Sequence, residues 1–130
     1  MAENSEQTID HAVNLGRIRE ATMGDEEFMA DLIDIFLDDS PTQISALRDA
    51  IEGREGEVAA STAHRLKGSS GNLGADSLAA LCRRVEEAGR EDRAEALPGL
   101  LRDIEQEFTR VKEYLSAVRQ DSDYKGFREH

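Results

Sequence analysis

His64 is the residue whose type and surroundings are best suited to chemistry. It lies on a segment in which Ala59, Ala63, Leu66, Ser70 and Leu73 recur in steps of four, three, four and three, the spacing of one face of an α-helix. At 100° per residue, His64 sits about 160° around that helix from Leu66 and so points away from the stripe. Its neighbours on the outer face are Ala60, Lys67, Gly68 and Gly71. A glycine at 68 costs a helix about 1 kcal/mol relative to alanine. In exchange it leaves the imidazole edge open to close approach by another surface. Lys67, three residues on, is within reach of a group attached to the ring. A neutral imidazole near pH 7 offers a nucleophilic nitrogen. A small, flat face with a cation beside that nitrogen suits covalent attachment of an anion.

Other chemistries find no support. Lys67-Gly68-Ser69-Ser70 inverts the Gly-Lys-Ser/Thr order of a phosphate-binding loop, and no strand leads into it. His11, His64 and His130 are too scattered for a metal site, and no His-Glu-x-x-His occurs. Cys82, the one cysteine, falls on the apolar side of its helix and reads as a core thiol. Ser69 and Ser70 have no base placed for Ser-His catalysis. Ser70 is expected to back-bond within its helix or fill a small core site. The expectation is no metal and no cofactor.

The elements that position His64 follow from periodicity. Residues 1–7 are polar and expected to be disordered. A short helix is expected from about Thr8 to Glu20, with Gly16 weakening it. Asp25 is a natural N-cap for a second helix over about 25–53, rich in apolar residues from Phe28 to Leu37 and resuming at Ile44, Leu47 and Ile51. Ser40-Pro41 allows either a kink in this helix or a new start capped by Ser40 with Gln43 three residues on; the kinked helix is the expectation. The third spans about Glu57–Asn72 and stops at Gly74. The fourth starts near Asp76, a cap candidate, and ends at Gly89. The last begins near Asp92 or Arg93 with Pro98 in its first turns, or Pro98 pushes its start later, and it keeps its period to Val118. The tail 121–130 has no period and is expected to fray. No strand pattern appears. The predicted fold is all-α: an antiparallel four-helix bundle over 8–120 with a short extra N-terminal helix.

Helices three and four fold back around Gly74, so facing residue numbers sum to about 148–150. That sets His64 level with residues 84–86. Of Arg83, Arg84, Glu86 and Glu87, Glu86 is the candidate to orient the imidazole through its other nitrogen. The remaining three read as a solvated charge face.

Composition narrows the partners. The 130 residues make one domain. Four Phe, two Tyr, no Trp and two prolines favour helices over a β-sandwich. A net charge of −12 argues against binding nucleic acid or an anionic membrane through bulk charge. One cysteine excludes a disulfide framework within the chain. No apolar run approaches 18 residues, so none is long enough to span a membrane. The N-terminus lacks the basic and apolar regions of a signal peptide. A cytoplasmic protein is the default, and Met1 favours a free-standing one. The charge is uneven: residues 1–57 carry −11 and residues 58–90 carry +2. The local basic stretch around His64 hints at an acidic partner.

The segment Ala63-His64-Arg65-Leu66-Lys67-Gly68-Ser69-Ser70-Gly71-Asn72-Leu73-Gly74-Ala75 resembles the signature of histidine-containing phosphotransfer (HPt) domains, His-x-x-Lys-Gly-Ser-Ser-x-x-Leu-Gly. The helix from Leu78 to Glu86 with its closing Gly89-Arg90 and the upstream Gly24–Phe28 and Phe36–Pro41 segments extend the resemblance over about residues 9–118. The resemblance implies a phosphocarrier of a multistep His–Asp relay. It would accept a phosphoryl group on His64 from an aspartyl phosphate of a receiver domain and pass it to another receiver. It suggests Nε2 as the acceptor, with Lys67 steadying the phosphate; the residues alone leave the nitrogen open. Magnesium and the acidic cluster would come from the receiver. Response regulators and hybrid histidine kinases are the implied partners, with no ATP-dependent kinase activity in this chain. The alternative is a helical module that regulates a receiver or kinase without carrying phosphate. Gly68, Ala60 and Gly71 are expected to give close approach. Val13, Ile18 and Met23 are offered as an extension of the docking surface, with packing on the end of the bundle as their other reading. A monomer is expected, because the four stripes can bury one another.

Overall fold

The computed structural model describes residues 12–129, with side chains over 12–120. The expected disorder of 1–7, and Thr8, His11 and His130, lie outside the described residues; within them, residues 12–14 are not helical, so the short helix expected from about Thr8 begins at Leu15 instead, where Asn14 caps it. The described residues form five α-helices and a 3₁₀ turn: α1 Leu15–Ala21, α2 Glu26–Glu52, α3 Gly56–Asn72, α4 Asp76–Arg90, the turn Ala94–Ala96, and α5 Leu97–Glu129. Among the described residues there is no strand. No helix there is long and apolar enough to cross a membrane.

Each boundary has a local cause. Asn14 caps α1 by accepting the Gly16 N–H at 3.0 Å. Met23 and Gly24 both adopt left-handed backbone, and Asp25 then caps α2 by accepting from the Phe28 N–H at 3.0 Å. Glu26 and Glu27 follow in the first turn, where the helix dipole favours anions. Pro41 lies inside α2, which continues to Glu52. Ser40 is buried with its hydroxyl unpaired, so it caps nothing and the helix does not restart there. Packing of Phe36, Ile44, Leu47 and Ile51 into the core outweighs the one backbone donor that proline removes.

Further boundaries differ from the sequence reading. The last helix starts at Leu97, after the 3₁₀ turn Ala94–Ala96, rather than near Asp92 or Arg93, because Pro98 suits only a helix's first turn. Asp76 is the first residue of α4 rather than its cap; the cap position is Ala75, without a side-chain bond. The Asp76 carboxylate instead meets Arg17 of α1 at 3.4 Å. Gly89 does not end α4, which runs to Arg90; it lies against Gly56 of α3. At the far end, α5 runs to Glu129 where a frayed tail was expected, because extending a packed helix needs no new nucleus.

The helices pack in the cyclic order α2, α3, α4, α5, with α5 returning to α2. The chain therefore closes an antiparallel four-helix bundle, as expected. Cross-bundle pairs mark the register of α2 against α5: Arg48 with Glu105, and Asp34 with Arg119 at 3.0 Å. The Phe36 and Phe108 rings meet between these helices at 6.0 Å. The stripe Ala59, Ala63, Leu66, Ser70 and Leu73 is buried throughout. Ser70 donates to the Leu66 carbonyl at 2.7 Å, the expected back-bond. Gly74 turns the chain between α3 and α4 with φ +75°, and a Cβ there would stand 2.4 Å from the Asn14 carbonyl oxygen. Glycine is required twice at that position, for the turn and for the contact that seats the start of α1. The Asn14 N–H donates to the Gly74 carbonyl at 2.8 Å, closing the same contact.

Candidate functional site

His64 projects from the middle of α3 with 60% of its side chain exposed. Its ring is nevertheless held. Nδ1 lies 2.8 Å from Oε2 of Glu86, across the hairpin on α4. A carboxylate only accepts, so Nδ1 is the donor in this contact, and in the neutral ring Nε2 keeps its lone pair. The antiparallel register therefore places Glu86 where the Gly74 turn predicted it.

Glu86 is the hub of the site. Its side chain is only 9% exposed. Oε1 accepts from Lys67 Nζ at 2.9 Å, and Oε2 accepts from Arg90 Nη1 at 2.9 Å as well as from His64. Burial on its own would raise the pKa of this carboxyl. The hydrogen bonds from Lys67 and His64 outweigh burial and hold it below the ordinary carboxylate value. Two full cations on one carboxylate leave the surroundings of the imidazole net positive before the ring itself is counted. Lys67, 32% exposed, thus lies beside the ring but is paired with Glu86 rather than free.

Gly68 and Gly71 present the open face expected of them: a Cβ on either would meet nothing within 4 Å. Ala60 does not belong to that face. It is buried, and its methyl lies 3.3 Å from where a Cβ on Gly89 would stand. Residue 60 turns toward α4 because the two glycines let the helices close up there. Val13 and Ile18 are also buried, so they pack the end of the bundle and offer nothing to a partner. Of the three residues put forward near α1, Met23 alone is exposed, at 90%. Cys82 is buried, and burial pushes its thiol up to about 12 against the pull of Lys67; it is a core group, as read. Arg83 pairs with Glu87 on the solvent face of α4 at 3.4 Å.

Two features escaped the sequence reading. Arg90 joins the hub, and its signal was available as a Glu-Arg pair at i and i+4 on α4. The second is apolar surface on α2. Phe28 and Ile35 are exposed, Ile35 at 56%. Leu32 and Ile35 line a groove with Ser69 and Asn72 of α3 and Leu73 just past its end. That groove adjoins Gly68. Seven large apolar residues from Phe28 to Leu37 cover more than one face of a helix, and the excess was the clue.

The Hpt domain family model matches residues 31–121. Among solved structures, histidine-containing phosphotransfer protein B (HptB) of Pseudomonas aeruginosa is similar at 28% identity and TM-score 0.81, over 86% of this chain and 96% of that one. The HPT domain of a Shewanella sensor hybrid histidine kinase has 20% identity and TM-score 0.75, over 85% and 96%. The maize phosphotransfer protein ZmHP2 has 21% identity and TM-score 0.77, over 92% and 95%. No curated protein matches the chain.

Proposed function

The chain belongs to the Hpt domain family and is a phosphocarrier of a phosphorelay; on that premise we propose that Nε2 of His64 is the atom that carries the phosphoryl group. The carrying observation is the split in the ring's surroundings: Nδ1 engaged by Glu86 at 2.8 Å, the opposite edge in solvent beside an unobstructed Gly68. Phosphoryl transfer needs an in-line nucleophile and neutralised charge far more than it needs covalent chemistry from the protein.

The step balances simply. The Nε2 lone pair forms the N–P bond as the P–O bond to a receiver aspartate breaks. The aspartate leaves as a carboxylate, and no proton moves. The ring retains Nδ1–H and becomes a cation, which the Glu86 carboxylate stabilises. Return to a second receiver reverses these bonds. Lys67 neutralises the phosphoryl oxygens as a point charge. On this reading the chain has no ATP-dependent kinase activity of its own, and magnesium arrives with the receiver.

Receiver domains are the partners of the relay; response regulators and the receiver domains of hybrid kinases are the classes we propose. The docking surface combines Gly68 and Gly71 with the α2 groove at Leu32 and Ile35, and Met23 beyond it. The apolar part supplies contact area, and the positive surroundings of His64 face the acidic receiver site. The chain acts as a monomer in the cytoplasm on this reading.

The test is His64→Gln. It is expected to melt with wild-type cooperativity and accept no acid-labile, base-stable label from a phosphorylated receiver. Label persisting in that variant removes the assignment. The competing interaction module would bind a receiver equally well after the His64→Gln change and never become labelled in the wild type.

A further inference from the structure

Glu86 serves three donors at once, and the arithmetic of charge around it changes when the imidazole reacts. In the resting state Lys67 occupies Oε1, while His64 and Arg90 share Oε2. Lys67 is therefore committed. To neutralise a phosphoryl group on Nε2 it must let go of Oε1. Were Lys67 the only cation on Glu86, its departure ahead of transfer would leave a nearly buried carboxylate facing only the neutral ring, with Oε1 unpaired, which is unfavourable. Arg90 removes that obstacle. It reaches Glu86 from one turn along α4, is half-exposed and stays on the carboxylate. Its guanidinium carries five donors in a fork, enough to spread onto the vacated oxygen.

We propose that Arg90 is a positioning residue for phosphoryl uptake, a reserve partner of Glu86 that releases Lys67 to the incoming phosphoryl group. The proposal rests on His64 being the phosphoacceptor. After transfer every charge keeps a counterpart: Arg90 and the ring cation face Glu86, and Lys67 faces the phosphoryl oxygens. Lys67 suits the mobile role because its ammonium sits on a flexible four-carbon stem and is already partly in solvent.

The experiment uses the whole chain and phosphoramidate, a donor with no protein surface, so docking is not involved. Its P–N bond breaks as Nε2–P forms, and ammonia leaves. Phosphohistidine formation is timed in wild type, Arg90→Gln, Arg90→Lys, Glu86→Gln and the double variant Arg90→Gln/Glu86→Gln, with a melting curve for each. Arg90→Gln is expected to slow uptake roughly tenfold, and Arg90→Lys to recover most of the rate. A neutral amide at 86 needs no cation, so the double variant is expected to match Glu86→Gln alone. The Lys67 ammonium nitrogen signal is expected to shift on phosphorylation of the wild type. This observation also decides the matter should Glu86→Gln not fold. Equal slowing by Arg90→Gln in both backgrounds overturns the proposal, as does a wild-type rate in Arg90→Gln or an unmoved Lys67 signal. If wild type never becomes phosphorylated on His64, the phosphoacceptor reading falls too, an outcome distinct from the others.

Discussion

Gly56 and Gly89 meet backbone to backbone where α3 and α4 cross. A Cβ on Gly89 would stand 2.5 Å from the Gly56 carbonyl oxygen, and one on Gly56 would stand 2.8 Å from the Gly89 carbonyl oxygen. The absence of both methyls draws α4 in against α3, one turn from Glu86. The reach of Glu86 to His64 and Lys67 depends on that closeness.

Gly89→Ala is therefore expected to destabilise the fold by about 1–3 kcal/mol, the usual cost of overpacking, despite alanine's better helix propensity. Thermal melting will show a loss of several degrees. The His64 Nδ1 proton resonance should also move, since the helix that carries Glu86 is pushed outward. An unchanged melt and an unchanged resonance would show that the crossing has slack.

Gly68 is the opposite case, because nothing stands near it. Gly68→Gln is expected to raise helix stability by several tenths of a kcal/mol while slowing transfer from a phosphorylated receiver at least tenfold. Lys67→Ala is expected to slow transfer with receiver affinity retained. Rates, affinities and melts measured together separate bulk from charge. A Gly68→Gln protein that transfers at the wild-type rate refutes the close approach.

Glu86 gives a pH signature. Its carboxyl is held below the ordinary value, by hydrogen bonds that outweigh burial. Its stabilising contribution is thus fully present above the unfolded carboxylate pKa of about 4.3 and is lost as pH falls through the lower folded value. In Glu86→Gln that part of the acid loss disappears. Urea unfolding of the two proteins from pH 6 down to pH 2.5 will test it: the stability gap should narrow on acidification. A gap that widens on acidification contradicts the sign.

Surface and core should also part company around the N-terminal half. Ile35→Asp, on the exposed groove of α2, is expected to weaken receiver binding about tenfold or more with little change in melting. Ile18→Ala, fully buried, is expected to cost about 2–5 kcal/mol with docking affinity of the folded fraction preserved. Calorimetric titration of a receiver against both variants decides between them. Weakened binding by folded Ile18→Ala and none by Ile35→Asp would return the docking surface to α1.

The chemistry of the site was largely legible in the sequence, because it is local. His64, Lys67, Gly68 and Gly71 share one helix face fixed by the 100° step, and one glycine turn was enough to find Glu86. Ala60 was misplaced because the 3.6-residue period gives an angle and says nothing of how deeply a neighbouring helix sits; the two glycines that let α4 close over it are 33 positions apart. Val13 and Ile18 were offered to a partner for the same reason, since the contact that buries them runs through Asn14 and Gly74. Phe28 and Ile35 were hidden among too many apolar neighbours for periodicity to sort.

The hairpin from Gly56 to Arg90 contains every side chain of the Glu86 hub. In sequence these contacts are short-range, joined through a single tight turn, and short-range contacts form with little loss of chain entropy. Assembly of the reactive geometry should thus precede closure of the bundle by α5. It follows that the exposed face of α2 around Phe28 and Ile35 is free to drift in sequence toward new partners, while a span of 35 residues keeps the reaction and its close-approach glycines intact: the apolar part of recognition is inherited apart from reactivity within one small chain.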